Sequence, residues 1–576
     1  MKKLLVYLKG YKKECVLAPL FKMLEACFEL LVPLVVASII DVGIAENNSG
    51  YVIKMCALMV LLGAVGLSCT LVAQYFSAKA ACGFSRGLRH SLFAHITSLS
   101  YTEIDTLGTS TLINRMTSDT NQVQTGINLT LRLFMRSPVI VFGALIMAII
   151  VDPTLKSSGI FVITISLLAI VVFGIMLITI PLYKKVQARL DSTVITTREN
   201  LTGVRVIRAF SLDKKESEKF HNKTALLNKA QVFVGRISAL MNPLTFVIVN
   251  LSICFLIHKG ANLVNDGNLT QGQVIALYNY MSQILIELVK LANLIITITK
   301  SLACAKRIED VLETQSSQSV SSSGENEEMG ENAVEFRGVS LRYKGASEPS
   351  LEDITFSVRH GETVGIIGGT GSGKSSLVNM IGRFYDAERG EVLVNGQNVN
   401  SYEFNVLREK IGIVPQKAVL FKGSVRENLR WSDKNASDEA IYSAIKTAQA
   451  TDVIEAKGEG LDFGIEEGGK NLSGGQRQRL TIARALVSKP EILILDDSSS
   501  ALDYQTDSRL RSALKNLDYQ PTVFIVSQRT ASLSHADKII VLDDGKIVGI
   551  GTHDELLSSC TVYEEIYNSQ FRREDV

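Results

Sequence analysis

The stretch TVGIIGGTGSGKSSLVNMIGRF, Thr363 to Phe384, decides the fold of the C-terminal part of this 576-residue chain. An apolar run, TVGII, reads as a buried strand. An apolar, helix-period run, SLVNMIGRF, follows. Between them stands G-x-x-x-x-G-K-S, Gly368 to Ser375, the loop that cradles nucleotide phosphates. Its glycines let backbone N–H groups turn inward around an anion. The helix that opens behind them adds positive dipole. Candidate phosphate contacts are Gly368, Gly369, Thr370, Gly371, Ser372, Gly373, Lys374, Ser375 and Ser376. Lys374 is placed to reach the β- and γ-phosphates, and Ser375 to ligate Mg²⁺. A glycine-rich turn can match this spacing by accident, but here strand and helix both flank it.

A second buried strand, ILILDD, runs from Ile492 to Asp497. Asp496, at its end, is the candidate Mg²⁺ ligand, directly or through water. Many buried strands end in Asp. The combination with the phosphate loop about 120 residues earlier is what gives this one weight.

The rest of the chain has a different texture. Hydrophobic residues make up 46%, charged residues 20%, and mean hydropathy is +0.20. Residues 157–183, 237–257 and 267–286 carry no charge, and 52–77 carry one lysine. With 137–151 and a less clean run at 15–40, they make six spans of bilayer length. Lys and Arg cluster before span one, after span two and after span four, so both termini are expected in the cytoplasm. The long basic stretches read as membrane helices continuing into the cytosol. Net charge is +2, too small to call for nucleic acid. The eight cysteines show no metal-type spacing. Cys27, Cys56, Cys69 and Cys254 lie in apolar runs and read as small core residues. No secretory signal is evident. The expected organisation is an all-α six-helix membrane domain over 1–312, a Ser/Glu/Gly-rich linker over 313–332, and a cytosolic α/β phosphate-loop domain over 333–576.

In combination these features resemble the ATP-binding cassette (ABC) family, specifically an exporter half-transporter. The residues that carry the resemblance are GTGSGKSS, IVPQ with Gln416, LSGGQRQR (Leu472 to Arg479) and SSALD with Asp503. Two weaker signals, GTSTLINRMTSDTNQVQ and ENLTGVRVIRAF, look like the exporter's cytoplasmic helices that touch the nucleotide domains. The resemblance implies ATP and Mg²⁺ as cofactors and a head-to-tail pair of nucleotide domains. Each ATP then sits on one phosphate loop and is capped by the other chain's signature. Leu472, Ser473, Gly474, Gly475 and Gln476 form that signature; the same S-G-G-Q also suits a simple helix N-cap, and both roles can hold together. Asp503 matches the family's D-loop. Gln416 matches the residue that senses Mg²⁺. Tyr343 matches the adenine-stacking aromatic, or is an ordinary strand tyrosine.

Two departures stand out. The family usually follows its Mg²⁺ aspartate with a glutamate that polarises water; this chain has Asp497. The carboxylate retreats by more than about an ångström, and such errors can cost on the order of a hundredfold in rate. The family usually has His at the switch position, where this chain has Gln528. Gln can hydrogen-bond a γ-phosphate but cannot carry positive charge. Weakened Asp497 and Gln528 beside an intact signature resemble the degenerate-site subunit of a heterodimeric multidrug exporter. A slow homodimer and an ATP-gated regulatory membrane protein are the alternatives. The expected partners are a second half-transporter chain, the lipid bilayer of a cell membrane and small amphipathic cargo, with no nucleic acid.

Lys22, Glu25 and Glu29 share one helix face. Charge within a span points to a cavity or a bundle-facing position. Glu25, Glu29 and Glu287 are therefore candidate cavity residues for cationic cargo. Internal pairing, Lys22 with Glu25 or Glu29, or the acids with Lys290, is the other reading. No peptidase-like extension precedes the first span, which points away from a peptide-processing exporter.

Overall fold

The computed structural model describes residues 3–152, 158–319, 330–455 and 458–570. It divides into two compact units: 1–97 with 110–314, and 98–109 with 315–576. Half of the linker expected at 313–332, residues 320–329, lies outside the described residues.

The first unit is built on six apolar helical spans: Leu4–Ile44, Ser49–Ser98, Thr109–Val151, Gly159–Thr202, Asp213–Asn265 and Gln271–Glu313. Hydrocarbon offers no partner for a backbone N–H or C=O, so an apolar run of this length must bond internally as helix. The spans are 41 to 53 residues long. At about 1.5 Å per residue they far exceed the roughly 30 Å of hydrocarbon in a bilayer, so they extend well beyond it. Inside, Leu30, Ala144, Ala148, Phe161, Leu256, Ala276 and Met281 pack together. Tyr280 donates across the bundle to the Leu30 carbonyl at 2.7 Å. The sixth span is capped twice. Thr270 and Gln273 form a capping box, and Asp41, from the first span, accepts from the Gly272 N–H at 2.8 Å and the Thr270 hydroxyl at 2.5 Å.

Of the four cysteines read as core residues, Cys69 is buried, while Cys27, Cys56 and Cys254 are exposed. Apolarity signals the interior in a soluble protein; in a span, the same apolar surface suits lipid.

The second unit carries two main sheets. A four-stranded antiparallel sheet has the order Leu351–Arg359, Asn332–Leu341, Arg389–Val394, Gln397–Asn398. A six-stranded sheet has the order Lys546–Gly551, Lys538–Asp543, Thr363–Gly368, Thr522–Val526, Ile492–Asp496, Ile411–Val414. The last five of these six run parallel to one another, and the first is antiparallel to the second. Such strands are buried on both faces and read as continuous apolar runs; every residue of Ile492–Asp496 and Thr522–Val526 is buried. Register does the positioning. Val526 pairs with Asp496 on one side and Ile366 on the other. Three strands therefore finish at one edge, and the loops after them open there, where α/β sheets bind ligands.

Residues 98–109 belong to this unit. Tyr101 packs on Phe384 with ring centroids 4.9 Å apart, and Asp105 accepts from the Tyr385 hydroxyl at 2.7 Å.

Candidate nucleotide site

At that sheet edge a cavity of about 130 Å³ is lined by Thr370, Gly371, Lys374, Ser375, Gln416, Asp496, Asp497 and Gln528, among others. Residues as far apart in sequence as Thr370 and Gln528 are brought together by the strand register.

The phosphate loop takes its shape from glycine. Gly371 and Gly373 have φ of 88° and 94°, open to glycine at little cost. At Gly373 a side chain would also meet Leu351 Cδ2 and the Ser350 carbonyl at 2.7 Å. The loop leads into the helix Lys374–Ile381. Lys374 Nζ donates to the Gly368 and Gly369 carbonyls at 2.9 and 2.6 Å. Burial lowers the pKa of this ammonium, while Asp497 and Asp496 act in the opposite sense.

Ser375 Oγ donates to Asp496 Oδ1 at 3.0 Å. Burial raises the Asp496 carboxyl above the ordinary aspartate value against the pull of Ser375; the charge of Asp497 adds to the rise and Lys374 opposes it. Asp497 sits at φ 46°, a left-handed conformation uncommon for a non-glycine residue and found at functional sites. Its N–H is held by the Val526 carbonyl at 3.0 Å. Its carboxylate accepts from Gln416 Nε2 at 3.2 Å.

The donor set fits Mg²⁺. Ser375 Oγ and Asp496 are adjacent hard oxygens, with the Gln416 amide in the same cavity. Mg²⁺ is ordinarily held by one or two carboxylates together with phosphate oxygens and water. No cluster of three or more His, Cys, Asp or Glu that could hold a metal occurs among the described residues, so an all-protein cage is not what this site offers.

The signature and Asp503 do not line the cavity. Ser473 caps the helix Gly474–Val487: its hydroxyl accepts from Gln476 N–H at 3.2 Å, and its own N–H donates to Gln476 Oε1 at 2.9 Å. Ser473 and Gly474 are exposed. Asp503 caps the helix Tyr504–Lys515 through Thr506 N–H at 3.0 Å. Tyr343 lies just beyond the strand Asn332–Leu341. Its hydroxyl is 2.8 Å from that of Ser376, and its ring meets Tyr385 edge-on at 4.9 Å. Burial raises the Tyr343 pKa, Ser376 opposing.

In the first unit the three candidate cavity acids are all in ion pairs. Arg136 pairs with Glu29 at 2.6 Å, with Glu25 at 3.8 Å and with Glu287. Lys22 pairs with Glu25, and Lys290 with Glu287 at 2.8 Å. Three cations match three carboxylates. Arg136 escaped the sequence reading because it sits just outside the apolar run 137–151; a charge at a span boundary was the available signal.

This is a membrane protein with an ATPase domain in one chain. A family profile described as "ABC transporter transmembrane region" matches residues 15–289, and one described as "ABC transporter" matches 351–500. An uncharacterized ABC transporter ATP-binding protein of Mycobacterium tuberculosis is 34% identical over 570 residues, covering 98% of this chain and 97% of that protein. A Bacillus subtilis protein, provisionally named for multidrug export, is 29% identical, covering 99% of both chains. A bacterial Atm1-family ABC exporter solved with ATP bound has the same fold: TM-score 0.82, 23% identity, 97% of this chain and 99% of that one covered. The chain belongs to the ABC transporter family. It carries its membrane region and its ATP-binding domain in one chain, as a half-transporter does, and is a multi-pass membrane protein whose ATPase activity is coupled to transport.

Proposed function

We propose that this chain is one half of a heterodimeric exporter of small amphipathic compounds, and that its own ATP site holds nucleotide more than it hydrolyses it. The observation that carries this reading is at Asp497. The short carboxylate occupies the position where the family usually presents glutamate, and Gln416 engages it at 3.2 Å. Gln528, in the same cavity, lacks the charge an imidazolium would bring. Ser375, Asp496 and Gln416 would hold Mg²⁺, and Tyr343 would stack on adenine. The Ser473–Gly475 turn, exposed at Ser473 and Gly474 and already formed as a helix N-terminus, would donate to the γ-phosphate on the partner's loop. Both termini lie in the cytoplasm in this reading, and the domains divide near 312 and 333. The provisional multidrug-export name of the Bacillus subtilis relative supports the cargo class.

The test is to purify the chain alone and with a candidate partner bearing Glu and His at the matching positions. Oligomeric state and steady-state ATP turnover are then measured for each. An inactive or unstable lone chain and an active pair support the reading. A lone chain forming a brisk homodimeric ATPase overturns it.

A further inference from the structure

The C-terminal helix Thr561–Gln570 ends against the switch loop. Its last residue, Gln570, donates from Nε2 to the Gln528 carbonyl at 2.6 Å. Gln570 Oε1 accepts from the Thr530 N–H at 2.9 Å and from the Thr530 hydroxyl at 3.1 Å. One amide thus grips both sides of the loop that follows the strand Thr522–Val526. On the other side of that loop, Ser527 Oγ accepts from Arg529 N–H at 3.0 Å. The helix that carries Gln570 is itself firmly seated. Tyr563 is fully buried and its hydroxyl lies 2.7 Å from His553 Nδ1. Val562 and Ile566 pack on the core of this unit.

From this we infer that Gln570 is a positioning residue for Gln528, holding its backbone so that the side chain faces the γ-phosphate. Gln528 is exposed and lines the cavity beside Lys374, Asp496 and Asp497. A long, flexible side chain with no charge gains little from a γ-phosphate unless its backbone is fixed beforehand. Gln570 supplies that fixation from 42 positions downstream. Nothing in the local sequence around Gln528 reveals it. The inference rests on the reading of Gln528 as the γ-phosphate contact, and its consequence is selective. Loosening the loop weakens recognition of ATP, which has the γ-phosphate, and spares ADP, which does not.

The experiment is photolabelling of the full-length protein, with its partner subunit where one copurifies, by radiolabelled 8-azido-ATP. Label is scored on this chain's own band, so that occupancy at a partner's site is not counted, and is competed with ATP or with ADP. The readout is the ratio of the two competing concentrations. Gln570→Ala is expected to lower ATP preference at least threefold with ADP competition unchanged. Gln570→Glu keeps the two hydrogen bonds accepted from Thr530 but sets a carboxylate oxygen against the Gln528 carbonyl, so it is expected to lower the preference as Gln570→Ala does. Gln528→Ala is the reference and should abolish it. A Gln570→Ala ratio within twofold of the unmutated protein, beside a collapsed Gln528→Ala ratio, overturns the positioning role. So does equal weakening of ATP and ADP, which marks general loss of structure. If Gln528→Ala leaves the ratio unchanged, the γ-phosphate reading of Gln528 is what fails, and the stated purpose of the clamp fails with it.

Discussion

Gln416 Nε2 donates to Asp497 Oδ2 at 3.2 Å, on the floor of the nucleotide cavity. The bond ties the residue at the Mg²⁺-sensing position to the residue at the water-polarising position. It leaves Asp497 with one carboxylate oxygen engaged and a shorter reach than glutamate.

If reach and charge are the two deficits, restoring both should restore turnover. The double variant Asp497→Glu, Gln528→His is expected to raise ATP hydrolysis at this site at least tenfold, towards the roughly hundredfold that positioning errors of this size can cost. Either single change should do less than the pair. Steady-state phosphate release, with and without the partner chain, checks this. An unchanged rate would mean that neither residue limits the site.

Asp496 should weigh on the nucleotide-free fold. Burial raises its pKa above the ordinary 3.8. The empty fold thus binds this proton more tightly than the unfolded chain does. Its contribution to stability is fully present below about pH 3.8 and is lost as pH rises through the raised folded value. At neutral pH the charged carboxylate is therefore a net cost, and Asp496→Asn is expected to raise the melting temperature of the nucleotide-free protein by roughly 2–4 °C, about 1 kcal/mol. The same change should abolish the additional stabilisation by Mg²⁺ and ATP. Differential scanning fluorimetry with and without nucleotide reads both effects.

Arg136 holds together three helical spans through Glu25, Glu29 and Glu287. Glu287 is 3% exposed. Removing the arginine leaves a carboxylate buried with less compensation, a change that typically costs about 3–5 kcal/mol. Arg136→Met should therefore melt earlier and aggregate in detergent, and Arg136→Met with Glu287→Leu should recover part of the loss. Size-exclusion profiles after graded heating distinguish them. If the double variant is worse than the single, the pair is not the reason the arginine matters.

Gly272 lies where the sixth span begins, against the end of the first. A Cβ there would fall 2.3 Å from the Ala37 carbonyl oxygen and 2.6 Å from Asp41 Oδ2. Gly272→Ala is expected to destabilise by about 1–3 kcal/mol, and Asp41→Ala to add little on top, since both disturb the same cap. Thermal denaturation of the two single variants and the double measures the overlap; full additivity would contradict it.

Much of this protein was legible in its sequence because the signals are local. The phosphate loop is one strand, one turn and the start of one helix, so Gly371, Gly373, Lys374 and Ser375 announce themselves within a dozen residues. The spans announce themselves because hydrocarbon demands uninterrupted apolar helix. Asp497 and Gln528 could be judged as departures because residue type alone sets their reach and charge. The tertiary structure decided everything that depends on register and on partners distant in the chain. Apolarity alone could not tell an exposed Cys254 from a buried Cys69. That Asp496, Lys374 and Gln528 meet follows from three parallel strands ending at one edge, and strand order is not written in any one strand. That Glu25, Glu29 and Glu287 are paired follows from Arg136, more than 100 residues from Glu29. That the switch loop is gripped follows from Gln570. The physical reason is common to all of them. Local conformation is set by each residue's own backbone preferences and hydrophobic period, whereas a hydrogen bond or ion pair across the fold exists only after packing has brought its two ends together.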